Sequence, residues 1–209
     1  MKLRFRIIPL AALILLATGC ATMSEEECRM ADWQALGYED GAAGRGLDYM
    51  SKRRQTCAKY RVQINTNTYR SGRNEGLEVY CTELRGFAEG RAGENYNGVC
   101  PVDLEGLFLR GYNTGRAIFT AHSAVQSLEN TIHDLELERE YLLDDLTEKG
   151  ARLIGNEASR DERISLLADI ARLKTRHTEL GIDIDNLRFE LTQHQAEYQA
   201  ALSRSPYHP

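Results

Sequence analysis

From Val125 to Tyr198 the apolar residues of this chain return every three and four positions, in two blocks. In the first block Val125, Ile132, Arg139, Leu146 and Leu153 make one row, and Leu128, Leu135, Leu142 and Lys149 make its partner. In the second, Leu166, Leu173, Leu180, Leu187 and His194 make one row, and Ile170, His177, Ile184, Leu191 and Tyr198 the other. Alternating steps of three and four are the signature of a coiled-coil seam. The second block is offset from the first by three residues, so a single rod would need a stammer. Gly150 and Gly155-Asn156 separate the blocks, and Ser159-Arg160-Asp161-Glu162 reads as a capping box with Ser159 as N-cap. The pattern predicts two helices, about 117–154 and 160–203, folded back as an antiparallel hairpin. At about 1.5 Å per residue each spans roughly 55–65 Å. A continuous helix in a parallel dimer or trimer is the rival arrangement.

Such a hairpin leaves Leu137, Leu143 and Leu167 partly uncovered, which points to docking on the head, on a second hairpin or on a partner. Folding about Glu157 brings His177 near Arg139 and Glu138, and His194 near His122. A paired histidine could hold zinc, but two ligands are not a site. A polar layer that sets register is the preferred reading.

Upstream, leucine rows give way to spaced glycines. Residues 37–44 read Gly-Tyr-Glu-Asp-Gly-Ala-Ala-Gly and residues 86–93 read Gly-Phe-Ala-Glu-Gly-Arg-Ala-Gly. Residues 69–76, Tyr-Arg-Ser-Gly-Arg-Asn-Glu-Gly, match residues 108–115, Phe-Leu-Arg-Gly-Tyr-Asn-Thr-Gly. The head is thus two pseudo-repeats, 28–80 and 81–116, each running cysteine, glycine segment, cysteine, glycine segment. Steps of three and four place the glycines on one helix face. Glycine inside a helix costs about 1 kcal/mol relative to alanine. Its repetition therefore implies short helices whose backbones approach closely, with Trp33, Tyr38, Tyr69, Phe87, Phe108 and Tyr112 filling the space beside them. Turns or helix C-caps are the alternative use of the glycines. A phosphate loop is disfavoured, because Gly37-x-x-x-Gly41 lacks the Gly-Lys-Ser/Thr ending and a preceding strand.

The first twenty residues change the setting. Lys2, Arg4 and Arg6 precede an apolar run from Ile7 to Ala17, then Thr18-Gly19-Cys20. A basic end, a short apolar segment and small residues before a cysteine describe a secretory signal of the lipoprotein kind. Ala17 stands where leucine is favoured, a mild departure. The expectation is a signal peptide over 1–19, acylation of Cys20 with palmitate among its chains, and a tether over 20–27. Ala21 after the cysteine resembles the outer-membrane sorting pattern of Gram-negative lipoproteins. The chain is then expected in the cell envelope, lipid-anchored at the outer membrane and facing the periplasm.

Four further cysteines remain: Cys28, Cys57, Cys81 and Cys100. An even count in an exported chain reads as two disulfides with three connectivities. If the pairing follows the repeat, Cys28 joins Cys57 and Cys81 joins Cys100. No two of them are close enough in sequence for a usual structural zinc pair. Charge is uneven: residues 24–116 hold 13 Lys and Arg against 14 Asp and Glu, and residues 117–209 hold 10 against 17. The acidic second half argues against nucleic acid as a partner.

The head resembles a family of bacterial lipoproteins defined by a domain of unknown function. The resemblance rests on Asp32-Trp33, Gly37-Tyr38-x-Asp40-Gly41-x-x-Gly44, Cys57, Tyr69-x-x-Gly72-x-x-x-Gly76-Leu77, Tyr80-Cys81, Gly90-x-x-Gly93 and Tyr96-x-x-Val99-Cys100. It covers roughly 28–100 and implies the localisation and the cysteine framework, but no activity. No catalytic constellation stands out either. The head has no histidine, which removes His-based triads there. Asp32, Glu39, Asp40 and Asp48 could pair as general acid and base, but helical and capping roles explain them better. His133 and His208 carry no argument.

The expected organisation is all-α: a disulfide-pinned helical head over 28–116, a coiled-coil hairpin over 117–203 and a disordered tail over 204–209. The expected role is a non-enzymatic envelope lipoprotein, with no cofactor or metal. Its partners are the membrane, through the lipid anchor, and either another protein or a second copy, through the coiled coil. The alternative is a module that binds cell-wall glycan or peptide through Trp33, Asp40 and the tyrosines of the head.

Overall fold

The computed structural model describes residues 23–207. The expected signal peptide, Cys20 and His208 lie outside them. Among the described residues there are seven helices and no strand. The expected all-α fold, with a cysteine-pinned glycine-rich head and a long helical hairpin, is the one the chain adopts. The chain divides into two compact units between Gly76 and Leu77.

The first unit holds α1 (Glu25–Met30), α2 (Trp33–Ala42), α3 (Leu47–Ala58) and most of α4 (Thr66–Tyr80). Helix α1 starts on a complete capping box. The Ser24 hydroxyl accepts the Glu27 N–H, and the Glu27 carboxylate accepts the Ser24 N–H at 2.6 Å. This puts residues 25–27 in a helix, where a tether was expected. Asp32 caps α2 by accepting the N–H groups of Gln34 and Ala35. Cys28 on α1 is joined to Cys57 on α3, with Cα atoms 5.5 Å apart.

Helices α2 and α4 meet backbone to backbone. A Cβ on Gly37 would overlap the carbonyl of Tyr69, and one on Gly72 the carbonyl of Gln34. A Cβ on Gly76 would overlap the Tyr38 carbonyl and lie 2.6 Å from the Ala42 nitrogen. The glycine spacing therefore serves close approach rather than turns at these positions, and even a methyl group is excluded.

The second unit continues with α5 (Glu83–Ala92), α6 (Val102–Ile154) and α7 (Arg160–Arg204). It repeats the same crossing between α5 and α6. A Cβ on Gly86 would overlap the Phe108 carbonyl, one on Gly111 that of Glu83, and one on Gly115 that of Phe87. Each partner is the residue that the repeat alignment matches to its counterpart in the first unit. Cys81 is joined to Cys100, with Cα atoms 5.7 Å apart. Leu77, Tyr80, Cys81, Cys100 and Phe108 form the buried cluster beside this crossing.

Helix α6 differs from expectation in one respect. It starts at Val102 rather than near 117, so the glycine segment 106–115 and the first leucine block are one helix of 53 residues. Nothing between Pro101 and Gly155 removes a backbone N–H or forces a positive φ, so the helix has no reason to stop.

Helices α6 and α7 pack as the hairpin. Val125, Ile132, Leu166, Leu180 and Ile184 are buried in the seam. Arg139, placed in a core row by spacing, is exposed instead, because a guanidinium is costly to bury without a partner. The Ser159 hydroxyl accepts the Glu162 N–H. Arg163 closes the turn by donating to the carbonyls of Leu153, Gly155 and Ala158. The expected disordered tail is also corrected up to Tyr207. The Tyr207 hydroxyl donates to Glu83 at 2.6 Å, and its ring lies 4.4 Å from that of Phe87.

Two substitutions of the same kind should move stability in opposite directions. Gly90→Ala sets a Cβ against the Tyr112 carbonyl and 2.8 Å from the Arg116 nitrogen. It is expected to destabilise by about 1–3 kcal/mol. Gly106→Ala, in the same helix system but with nothing within 4 Å of the added carbon, should stabilise by about 1 kcal/mol. Urea midpoints check both; a harmless Gly90→Ala would show that α5 and α6 are not in backbone contact.

Candidate functional site

The densest polar cluster of the first unit surrounds Asp40. Its place on α2, between Gly37 and Gly41, turns it inward, and it is completely buried. A buried carboxylate is tolerated only when paired and hydrogen-bonded. Four donors do this: Arg45 Nη1 at 2.8 Å, Arg53 Nε at 3.0 Å and Nη2 at 2.9 Å, and the Tyr69 hydroxyl at 2.5 Å. The two bonds from Arg53 on α3 are bidentate, the strong form of this pair. Arg73, also buried, donates from Nη2 to the Arg45 carbonyl at 2.9 Å.

Burial alone would raise the Asp40 carboxyl, but the bonds from Arg53, Tyr69 and Arg45 outweigh it and hold it below the usual carboxylate range. Burial, then the bond to Asp40, pushes the Tyr69 phenol well above its ordinary value. Asp40 is thus ionised and saturated with donors. It can neither shuttle a proton nor reach a ligand, which removes it from the set of general acids and from the glycan-binding set. Its work is to tie α2, α3 and α4 together.

The second unit solves the same space differently. Phe108 stands where the repeat has Tyr69, and Glu89 where it has Asp40. Phe108 has no hydroxyl to donate, and Glu89 pairs with Arg85 at 2.9 Å. The gap is filled by rings: Phe108 lies 5.2 Å from Tyr80 and 4.7 Å from Tyr96. Burial, then the charge of Glu89, pushes the Tyr80 phenol up to about 12. The Tyr96 hydroxyl accepts the Cys100 N–H and donates to Glu105.

The four cysteines sit as two pairs, Cys28 with Cys57 and Cys81 with Cys100, the arrangement that follows the repeat. The histidines take other partners in the hydrogen bonds and ring contacts. His122 lies 5.1 Å from the ring of Tyr198. His194 bonds Glu197 on its own helix at 3.0 Å. Glu138 takes Arg176 rather than His177. The opposite strand of an antiparallel seam presents Tyr198, one turn beyond His194, to His122. Among the described residues no three His, Cys, Asp or Glu side chains converge on a metal position. Trp33 is half-buried.

Residues 32–117 match a family model described as a protein of unknown function (DUF2799). The domain therefore begins at the cap of α2 and runs into α6, taking in both glycine crossings and the Asp40 cluster. Comparison with curated proteins and with solved structures finds no match. The glycine segments and three of the four head cysteines, Cys57, Cys81 and Cys100, fall within the matched residues, and the family's description assigns no activity.

Asp40→Asn should cost about 3–5 kcal/mol, because Arg53 is left buried without its counter-charge. The pH dependence follows from the depressed carboxyl. The unfolded chain takes up its Asp40 proton at a higher pH than the native one. Stability is therefore present above the ordinary aspartate value of about 3.9 and is lost as pH falls below it. Thermal unfolding of the wild type and Asp40→Asn from about pH 3 to about pH 7 checks this. The variant should lose less stability on acidification; parallel profiles would mean that the carboxylate is not held ionised.

Proposed function

We propose that this chain is a non-enzymatic envelope lipoprotein, anchored through acylated Cys20 at the outer membrane and facing the periplasm. In this reading the head is a twice-stapled base, and the hairpin is a structural or protein-interaction arm. The observation that carries it is the number of large apolar side chains left on the hairpin. Leu137, Tyr141, Leu143, Ile164, Leu167, Ile182 and Phe189 are all exposed. A two-helix hairpin has one seam and cannot cover a second face. Apolar groups in such number on one element mark a surface that meets another protein. The basic, apolar, small, cysteine order of residues 2–20 supports the anchor. The DUF2799 match, which assigns no chemistry, leaves the role to be read from these features.

Cys20→Ser should abolish incorporation of labelled fatty acid and release the protein from washed membranes. Wild-type protein that takes up no label would remove the lipoprotein reading. A photo-crosslinking residue at Phe189 or Tyr141 in living cells should give protein adducts. Adducts that form only from head positions such as Tyr38, and with glycan, would favour the cell-wall binding alternative.

A further inference from the structure

The two flanks of the hairpin are chemically different, and this asymmetry names a partner. Three interhelical ion pairs fix which positions share a flank. Arg176–Glu138 and Arg152–Glu162 define one, and Arg188–Glu136 at 2.7 Å defines the other. Steps of seven extend each flank along the coil. The first reads Thr131, Glu138, Asp145 and Arg152 on α6, facing Glu162, Asp169, Arg176 and Asp183 on α7: every position but Thr131 is charged. The second reads Glu129, Glu136, Leu143 and Gly150 on α6, facing Leu167, Lys174, Gly181 and Arg188 on α7. Its leucines are exposed, at 52% for Leu143 and 55% for Leu167, and a Cβ on Gly150 would meet nothing within 4 Å. Ile154 and Ile164 extend the apolar patch towards the turn and are 82% and 58% exposed.

We infer that this second flank is where a second copy of the chain docks, forming a four-helix bundle from two parallel hairpins. The inference rests on the reading of the hairpin as an interaction arm. Charge selects both the partner and its orientation. The α6 strip is acidic, with Glu129 and Glu136, whereas the α7 strip is basic, with Lys174 and Arg188. A two-fold axis along the hairpins sets α6 of one copy against α7 of the other. Glu129 then faces the Arg188 level, Leu143 the stem of Lys174, and Gly150 the side chain of Leu167. Turning one copy end over end would instead set α6 against α6, with Glu129 and Glu136 opposite Gly150 and Leu143 and no cation to meet them. Gly150 lets the helices approach beside Leu143, whereas Gly181 is covered by the Arg139 guanidinium of the same chain, 3.6 Å from where a Cβ would stand. About 25 residues of each helix, roughly 38 Å by 20 Å, give a flank of about 750 Å² per copy. A standard stable interface buries about 800 Å² on each partner.

Two tagged versions of the full chain, one Leu143→Cys and one Lys174→Cys, are co-expressed and oxidised in the cell. A covalent dimer carrying both tags is expected. Asp145→Cys with Asp169→Cys, on the charged flank, should give none between chains. The purified acylated protein in detergent should show twice the chain mass by light scattering, and Leu143→Asp with Leu167→Asp should halve it without loss of helicity by circular dichroism. A single-chain mass for the wild type, or dimers linked through the charged flank, would overturn the inference. A monomer whose Leu143 position crosslinks a different protein would also overturn it, while leaving the interaction arm standing. Absence of any adduct from any hairpin position would remove both.

Discussion

Everything in the head depends on the contact of one helix backbone with another through glycine. Helices α2 and α4 touch at Gly37, Gly72 and Gly76, and α5 and α6 touch at Gly86, Gly90, Gly111 and Gly115. At each, the position of a β-carbon is occupied by a carbonyl of the facing helix. Glycine weakens a helix by about 1 kcal/mol per residue, so seven of them work against helix formation by several kcal/mol. The return is tertiary. Helices this close gain dispersion contacts along their length and Cα–H···O contacts between backbones. They also place the residues beside the glycines, Asp40 in one unit and Phe108 in the other, in full burial.

Once that frame is set, the space beside each crossing must be filled, and the two units do it with opposite chemistry. The first uses an ionised carboxylate held by Arg53, Arg45 and Tyr69; the second uses stacked rings. The ionic solution adds little net stability over an apolar one, but failure of any member is costly, because it strands a buried charge. It therefore specifies one arrangement of α2, α3 and α4. The aromatic solution tolerates more variation. Each unit is then closed by a disulfide, across 29 residues in the first and 19 in the second. Crosslinks over loops of this size contribute about 3–4 kcal/mol by restricting the unfolded chain. That is a large share for the first unit, which has about 50 described residues, a size at which burial alone is marginal.

The hairpin obeys a different constraint. Its two helices share one seam, so the remaining faces must be soluble or partnered. One flank is charged at every heptad position from Glu138 to Arg152 and from Glu162 to Arg176. The other carries leucine, glycine and segregated charge, the composition of an unfinished interface. On the proposed reading, an anchor at Cys20 and an arm with an open flank would together make an assembly module at a membrane surface.

Local, periodic signals were legible in the chain before any fold was known. The leucine rows placed the hairpin, Ser159 placed the start of α7, and the matched glycine segments announced the paired crossings. The even cysteine count and the repeat pointed to the pairing. These features are written in spacings of three, four and seven, or in a motif copied within one chain. What tertiary structure alone decided lies at longer range. Asp40 meets Arg53 and Tyr69 across 13 and 29 residues, and no local pattern separates it from an ordinary capping acid. The repeat did hold a trace of it, since Tyr and Asp in the first copy become Phe and Glu in the second. The merging of the last glycine segment with the coil into α6, the exposure of Arg139, and the seating of Tyr207 on Phe87 had no such trace. Helix continuity and terminal docking depend on which surfaces remain open after packing, and that is a property of the folded chain, not of its spacing.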